Sequence, residues 1–500
     1  MFWVSSAGMV ADLRSRKALL PLAIAPLVAA ASPDSQPPRL DVQLTPTATT
    51  LNVRMSIGGA PFKAGDPLVE LPLVMVGIPT ARYDGDALQA HDSRGAVPLT
   101  HHELPPTPQG TVRQWAVQRD TVGPVVVTVA AAPHAVSAAT NNGPLFDLRR
   151  EGTGYMGAGV GFMPVPTRTL PYRLHLHWRL PRGWRGVWSL GEGDVDTVAP
   201  PAMLANSFYG TGPIQSYPAG QDPKFGLYWI SPPPFDAAKL GRYVQTVYAR
   251  MAEFFGDPVT EYRVFVRQNP YAGVGGTALY QSFMFGYQPS EKPTLESLQG
   301  TLSHEITHNW PSLQGEHGET AWYSEGTAEY YSLLVPYRAG LLSLDQLTDM
   351  LNNKARKYYR NRFRTLSNPE VAKLFWSDPV AQRVPYGRGF VYLARTDAAI
   401  RARSGGKRSL DDVVLALRKR EKSDQSYGIA DWLSLVGAEL GADVAKRDYD
   451  AMVAGTLMTL PADRFAPCLT VVRDDAPAAA GSGEGWKWQK DPAATGRCPF

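Results

Sequence analysis

The stretch HEITHNWPSLQGEHGETAWYSEGTAEYY, residues 304–331, places two histidines four positions apart and follows them with several glutamates. Apolar residues recur every four positions in this region, which predicts a helix over about 295–310 that ends before Pro311. On that helix His304 and His308 project from the same side, one turn apart. Two imidazoles in this arrangement can bind one metal ion at ordinary Zn–N distances.

The neighbouring residues supply the other groups that a hydrolytic metal site needs. Glu305 is rotated by about 100° from His304, beside the metal ion, where a general base belongs. A catalytic zinc ion takes a third protein ligand and keeps one position open for water. The best candidate is Glu325, on a second helical segment whose start is indicated by Thr320 and whose end is indicated by Pro336.

Several other groups compete for these roles. Glu316, His317 and Glu319 lie between the two helical segments and are alternative ligands. Glu329, one turn after Glu325, is expected to accept a hydrogen bond from a ligand histidine and to fix its tautomer. A plain solvated helix pair is the alternative interpretation, because HExxH also occurs by chance, but the second helix with its glutamate favours the metal site.

Two motifs resemble those of the gluzincin metallopeptidases, specifically the aminopeptidase-N-like and glycyl-aminopeptidase-like families: HEITHNW, residues 304–310, and WYSEG, residues 322–326. The resemblance covers about 236–405. It implies a thermolysin-like catalytic domain behind an N-terminal β domain, with one zinc ion per chain held by the two histidines and Glu325. It also implies a peptide substrate.

A later motif, RVPYGRGFVYLA (383–394), extends the resemblance. In the resembling families a tyrosine at a helix start donates a hydrogen bond to the oxyanion, and Tyr386 occupies the matching place. Arg388 stands where lysine is common in those families. A packing role for Tyr386 is the alternative, since it follows a proline.

The residues Gly275, Gly276, Thr277 and Ala278 resemble the substrate-binding strand of these enzymes. Ala278 stands where the resembling families have the glutamate that binds the substrate amine, so aminopeptidase and endopeptidase action both stay open. The segment 277–285 is expected to be an extended edge strand to which a peptide adds by backbone hydrogen bonds. The loop between the second histidine and Glu325 is shorter than in aminopeptidase-N-like members.

The resemblance implies a zinc-dependent metallopeptidase that hydrolyses peptide bonds with a metal-activated water. Glu305 is then the general base, and Tyr386 stabilises the oxyanion. Three alternatives use the same residues: an endopeptidase, a hydrolase of a non-peptide ester or epoxide, and a zinc-containing binding protein without turnover.

The rest of the chain predicts an α+β multidomain protein. Short alternating runs such as YRLHLHWRLP (172–181), separated by Gly and Pro, indicate an antiparallel β domain, and GYMGAGVGF (154–162) is expected to be a loop. Three prolines in SPPPFD (231–236) indicate a linker. The expected ranges are a signal peptide over 1–31, the N-terminal β domain over 32–235, the thermolysin-like zinc metallopeptidase domain over 236–405, and a helical C-terminal region over 406–500.

The first 31 residues have the layout of a secretory signal: basic residues, an apolar run over 18–31, and a polar Pro-rich segment. Export to the periplasm or the medium is therefore expected, with an uncleaved membrane anchor as the alternative. The apolar run is short and contains two prolines, so no stable membrane span is expected.

Charge and cysteines narrow the possibilities further. The formal net charge is only +4, which gives no strong field for binding nucleic acid. Cys468 and Cys498 are the only cysteines, so thiolates cannot build the central metal site. In an exported chain the pair is expected to form a disulfide, with two free thiols as the alternative.

Overall fold

A computed structural model describes residues 36–107, 110–140, 143–258, 260–474, 485–494, 498 and 500. The expected signal peptide over 1–31 lies outside these residues. Contacts divide the chain into two compact units: the described residues up to Gly241 with Thr260–Pro293, and Arg242–Val259 with Thr294–Phe500. The three domain ranges expected from the sequence stay predictions. Within the described ranges, no helix is both long and apolar enough to cross a membrane.

The first unit consists mainly of β-sheets. Its strands are β1 (Arg39–Pro46), β2 (Leu51–Ile57), β3 (Pro67–Met75), β4 (Ile78–Pro79), β5 (Leu88–Asp92), β6 (Gly95–Ala96), β7 (Leu99–Glu103), β8 (Gly110–Val117), β9 (Val125–Ala131), β10 (Arg149–Glu151), β11 (Gly154–Ala158), β12 (Val165–Pro166), β13 (Tyr172–Trp178), β14 (Arg185–Trp188), β15 (Gly191–Glu192), β16 (Val195–Ala199), β17 (Phe208–Gly212), β18 (Gln215–Tyr217), β19 (Phe225–Trp229), β20 (Tyr262–Gln268), β21 (Gly275–Leu279) and β22 (Ser282–Tyr287). A short helix, α1 (Ala202–Ala205), precedes β17.

These strands form four sheets. The orders are β16-β13-β1-β2-β9-β5-β6, β10-β11-β17-β14-β15, β12-β3-β8-β7 with β4 beside β3, and β18-β19-β20-β22-β21. The first three sheets are antiparallel, as expected, except that β1 and β13 run parallel. The prediction of many antiparallel β-strands in the N-terminal part is therefore confirmed.

Alternation of apolar and polar residues explains the strands of the largest sheet. Leu174 and Leu176 of β13 are buried, as the alternating run 172–181 predicts. His175 and His177 lie on the opposite face of the strand and are only partly buried. His175 Nδ1 is 2.8 Å from an Asp196 oxygen on the neighbouring strand, so this histidine is held by a local polar contact.

The glycine-rich segment 154–162 is not a loop, contrary to expectation. Residues 154–158 form the buried strand β11, and a 3-10 turn follows. A Cβ atom on Gly157 would lie 2.6 Å from the Cα atom of Leu148. The glycines are therefore required by close backbone packing inside a sheet rather than by a turn.

The fourth sheet is mixed. Strands β19, β20 and β22 run parallel, and β21 pairs antiparallel with β22 at the edge. The expected single strand over 277–285 is wrong: the chain turns at Tyr280 and Gln281, and the latter has a left-handed backbone (φ 46°). Strand β19 precedes the domain boundary expected at residue 235, and β20 follows it. Their pairing therefore places residues from both sides of that boundary in one sheet.

The second unit is mostly helical. Its helices are α3 (Leu295–Thr307), α4 (His317–Arg338), α5 (Leu344–Tyr359), α6 (Asn368–Leu374), α7 (Val384–Ser404), α8 (Leu410–Lys422), α9 (Ile429–Leu440) and α10 (Ala442–Val453); most of α2 (Ala237–Phe254) also belongs to it. A hairpin of β23 (Leu469–Arg473) and β24 (Trp486–Lys490) completes it.

The hairpin and the C-terminus are held to the helices of this unit. The expected disulfide between Cys468 and Cys498 is present. Asn352 of α5 exchanges two hydrogen bonds of 2.7 Å with the backbone of Trp488 in β24. Arg338, at the end of α4, donates to the carbonyl oxygen of Phe500 over 2.8 Å. The helical C-terminal region is confirmed, but it also carries a hairpin that the sequence pattern does not predict.

Candidate active site

The two histidines of the opening motif lie at the C-terminal end of α3. The helix begins with a capping box in which Thr294 and Ser297 satisfy each other's backbone N–H groups. It ends at Thr307, earlier than the expected 310, so His308 is its C-terminal cap. The Nε2 atoms of His304 and His308 are 3.1 Å apart, as the spacing of four predicts.

Glu325 lies in the middle of α4 and reaches both imidazoles. One of its oxygens is 3.3 Å from His304 Nε2 and 3.5 Å from His308 Nε2. A tetrahedral metal with bonds of about 2.0–2.1 Å places its ligands about 3.3 Å apart. The three donor atoms therefore have both the chemistry and the spacing of a zinc site.

Helix α4 differs at both ends from the sequence expectation. It begins at His317 rather than at Thr320, whose hydroxyl donates to the carbonyl oxygen of Glu316. It also continues past Pro336 to Arg338. A proline so near the C-terminal end costs one backbone hydrogen bond without stopping the last turn.

Two glycines bring α4 and α7 into direct backbone contact. A Cβ atom on Gly326 would lie 2.7 Å from the Cα atom of Gly389, and one on Gly389 would lie 1.9 Å from the carbonyl oxygen of Trp322. Gly326 follows Glu325, and Gly389 comes one turn after Tyr386. The close crossing thus carries the first turn of α7 toward Glu325.

Tyr386 lies in that first turn of α7 and is buried against the histidines. Its ring stacks on the His304 ring with centroids 5.7 Å apart and an interplanar angle of 8°. Its hydroxyl interacts with the Glu325 carboxyl closely enough to affect the pKa of both groups. Burial, together with the negative charges of Glu325 and Glu305, raises the pKa of Tyr386 well above its usual value, so the phenol keeps its proton.

Glu305 completes the group of side chains. It is 1% exposed, and its carboxylate and the imidazoles of His304 and His308 offer ligand atoms that all lie within 4.8 Å of one another. Burial and the neighbouring charge of Glu305 raise the pKa of Glu325 well above its usual value. The two carboxylates thus share a small buried space in which a cation offsets their repulsion.

The imidazoles are held in the form that binds metals. Burial lowers the pKa of His308 to about 3 and lowers that of His304 well below its usual value. Both rings are therefore neutral near pH 7, and a neutral imidazole nitrogen is the ligand that Zn²⁺ takes.

The chain matches no protein-family model and no curated protein sequence, but solved structures do match. An aminopeptidase N family protein from Idiomarina loihiensis gives a TM-score of 0.68 at 14% identity, over 89% of this chain and 81% of that one. An M1 zinc metallopeptidase from Deinococcus radiodurans, solved as a mutant bound to a Tyr-Ser-Ala substrate, gives a TM-score of 0.52 at 17% identity, over 85% of this chain and 95% of that one. Yeast LTA4 hydrolase gives a TM-score of 0.50 at 13% identity, over 88% of this chain and 73% of that one.

The chain has a gluzincin aminopeptidase-like fold. The resemblance drawn from the motifs 304–310 and 322–326 is thus confirmed for the fold, across far more of the chain than those motifs cover. Identities of 13–17% show nothing beyond the fold.

In this gluzincin aminopeptidase-like fold, Glu329 lies one turn beyond Glu325 and faces His304. Its Oε1 is 3.7 Å from His304 Nδ1, which is longer than a hydrogen bond. Its other oxygen forms an ion pair with Lys354 of α5. The sequence pattern does not single out Lys354, because the run NNKARKYY (352–359) is typical of an ordinary amphipathic helix.

The competing ligand candidates are exposed or packed against other side chains. Glu316 and Glu319 are exposed at the start of α4. His317 packs against Phe375 and Trp376, with ring centroids 4.6 and 5.3 Å away, and burial lowers its pKa to about 4. These contacts explain His317 as a packing residue.

Arg388, in the position where the resembling families often have lysine, has a structural role. Its guanidinium donates to Asn368 Oδ1 over 2.5 Å and to the backbone carbonyl of Arg364 over 3.0 Å. It therefore ties α7 to the start of α6 and to the segment before it.

The residues of the expected substrate strand, 275–278, belong to the first compact unit. They form most of the edge strand β21, all of whose residues are buried. The hydroxyl of Thr277 accepts a 2.8 Å hydrogen bond from the backbone N–H of Leu145. Ala278 is 1% exposed and offers no charge to a substrate amine.

Proposed function

We propose that this protein is a zinc-dependent metallopeptidase with an aminopeptidase-like architecture and a thermolysin-like catalytic part. One observation carries the proposal: Glu325, His304 and His308 place three donor atoms 3.1–3.5 Å apart. The presence of Glu305 and Tyr386 at the same point supports an enzyme rather than a silent binding protein, because neither is needed to hold a metal ion.

The two histidines and Glu325 would hold the zinc ion. When bound, Zn²⁺ supplies Lewis acidity, which polarises a carbonyl group and makes water acidic near neutral pH. Burial of all three donors excludes bulk water, and this strengthens every electrostatic interaction at the site.

The protein's own groups move the protons and stabilise the charge. Glu305 accepts a proton from the attacking water and returns it to the leaving amine. The Tyr386 hydroxyl, which interacts with the Glu325 carboxyl, donates a hydrogen bond to the oxyanion of the tetrahedral intermediate. The rigid crossing of α4 and α7 fixes the tyrosine before the substrate binds.

A peptide substrate is part of the proposal, and the structural neighbour bound to Tyr-Ser-Ala supports it. Ala278 stands where the resembling families have an amine-binding glutamate, so this residue supplies no counter-charge for a substrate amine. We therefore propose peptide-bond hydrolysis without restricting it to the N-terminal residue.

Export to the periplasm or the medium is also proposed. The disulfide between Cys468 and Cys498 supports it, because such bridges persist in oxidising compartments.

Replacing Tyr386 by Phe is expected to lower kcat about 100-fold with little change in KM, since one oxyanion donor contributes about 3 kcal/mol to the barrier. The ring and its stacking on His304 remain, so zinc content should stay at one ion per chain. Steady-state kinetics with metal analysis measure both. A wild-type kcat in this variant would remove Tyr386 from the mechanism.

The proposed function is tested with the zinc-loaded mature chain and a mixed peptide library, with the new termini read by mass spectrometry. Cleaved peptide bonds, lost on chelation and regained with zinc, are the expected result. Release of single N-terminal residues would indicate an aminopeptidase, and internal cuts an endopeptidase. A zinc-loaded chain that cleaves no peptide contradicts the proposal.

A further inference from the structure

Lys354 brings a largely buried ammonium group to the candidate active site. It lies on α5, and its side chain is only 13% exposed. Burial and the nearby positive charge of Lys357 lower its pKa to about 7. An apolar residue would fill this place without the cost of burying a charge, so the ammonium calls for an explanation.

Glu329 connects this ammonium to the histidine pair. Its side chain is 9% exposed, with one oxygen paired to Lys354 and the other 3.7 Å from His304 Nδ1. The opposite nitrogen of the same ring, Nε2, faces Glu325. Lys354 on α5 therefore lies next to Glu329 on α4, and Glu329 lies next to His304 on α3.

We propose that Lys354 is a positioning residue of the zinc site, whose ammonium holds Glu329 in place behind the ring of His304. A carboxylate behind Nδ1 favours the tautomer that carries its proton there, which leaves the Nε2 lone pair for the metal. This inference rests on the proposed function in one respect, that the site holds Zn²⁺.

The local charges explain why an ammonium is needed. Glu305, Glu325 and Glu329 are three buried carboxyl groups around the two histidines, and the charge of Glu305 disfavours the charged form of Glu325. Lys354 offsets the charge of Glu329, the carboxylate that is not proposed to contact the metal ion or the water. Without the ammonium, Glu329 loses the partner that holds it, and its support for the ring weakens.

A packing role for the lysine stem is the competing explanation, and two substitutions separate the roles. Lys354→Met keeps the apolar stem and removes the charge, whereas Lys354→Arg keeps the charge. Arg356→Met is the matched control, because it removes an exposed cation from the same helix. Thermal melting of each metal-free variant checks that it folds.

The primary readout is the zinc dissociation constant, measured by competition with a chromophoric chelator. Lys354→Met is expected to raise it about 10–100-fold, the range typical of losing a partner behind a metal-ligating histidine. Lys354→Arg and Arg356→Met are expected to stay within about threefold of the wild type. Equal affinity in Lys354→Met and wild type, or equal losses in Lys354→Met and Lys354→Arg, would overturn the proposal.

A double-mutant cycle with Glu329→Gln tests the connection through the carboxylate. If Lys354 acts through Glu329, adding Lys354→Met to Glu329→Gln lowers zinc affinity no further. Losses that multiply in the double variant would show independent effects and contradict the inference.

The design separates this inference from the proposed function. A wild-type chain that binds zinc but cleaves no peptide would end the peptidase proposal, while the zinc affinities would still decide the role of Lys354. Active wild-type enzyme with unchanged affinity in Lys354→Met would end the inference alone.

Discussion

Replacing Glu305 by Gln is expected to lower kcat by about 10²–10⁴-fold while one zinc ion per chain stays bound. Glutamine has the same shape as glutamate but cannot accept a proton from water. Glu305 is not needed as a ligand, because Glu325 and the two histidines already supply three donors at mutual distances of 3.1–3.5 Å. Zinc analysis and peptide hydrolysis on the same preparation measure both parts.

Glu316→Gln is the matched control for this variant. It makes the same chemical change at an exposed position just before α4. Wild-type kinetics are expected, which would also remove Glu316 as a competing ligand. If Glu305→Gln cleaved peptides at the wild-type rate, the assignment of the general base would be wrong.

Replacing Glu325 by Gln is expected to abolish zinc binding at micromolar concentrations and all hydrolysis with it. A neutral amide oxygen is a far weaker ligand for Zn²⁺ than a carboxylate. The loss in affinity should exceed the roughly 10–100-fold that removal of a supporting partner costs. Calorimetric titration of the metal-free variant with zinc gives the affinity.

Protein stability separates this effect from misfolding. Glu325 is completely buried, and a buried carboxylate is costly when no cation compensates it. The metal-free Glu325→Gln variant is therefore expected to melt no lower than the metal-free wild type, and zinc is expected to raise the melting temperature of the wild type but not that of Glu325→Gln. Glu319→Gln, an exposed change on the same helix, serves as control. Tight zinc binding by Glu325→Gln would show that the third ligand lies elsewhere.

The helices that carry the candidate ligands could be predicted because their signals are local. A spacing of four places His304 and His308 on one side of α3, and this holds for any helix. A second helical segment with its own start and stop signals then offers Glu325 as the third ligand, and α4 carries this residue to the pair. The ends of the helices are predicted less accurately. The sequence pattern ends α4 at Pro336, but a proline in the last turn removes only one backbone hydrogen bond.

Features that depend on tertiary packing could not be predicted. The glycines of 154–162 resemble a loop in sequence, yet they allow neighbouring backbones to pack closely inside a sheet. The turn between β21 and β22 carries no Gly, Asn or Asp, and Gln281 adopts the left-handed backbone instead. The local sequence therefore indicates neither the buried strand within 154–162 nor the turn at Gln281.

The site shows the same division between local and long-range information. A motif predicts the role of Tyr386, but its stacking on His304 depends on the close crossing of α4 and α7 at Gly326 and Gly389. Lys354 was missed because its partner Glu329 lies on another helix. Charge pairs between helices leave no periodic pattern along the chain.

Anomalous diffraction at the zinc absorption edge from crystals of the zinc-loaded protein tests the central claim most directly. We predict one strong peak within about 2.0–2.2 Å of an oxygen of Glu325 and of the Nε2 atoms of His304 and His308, with an open position on the remaining side. A zinc peak at another place, or an ion that Glu325 does not contact, would contradict the proposed site.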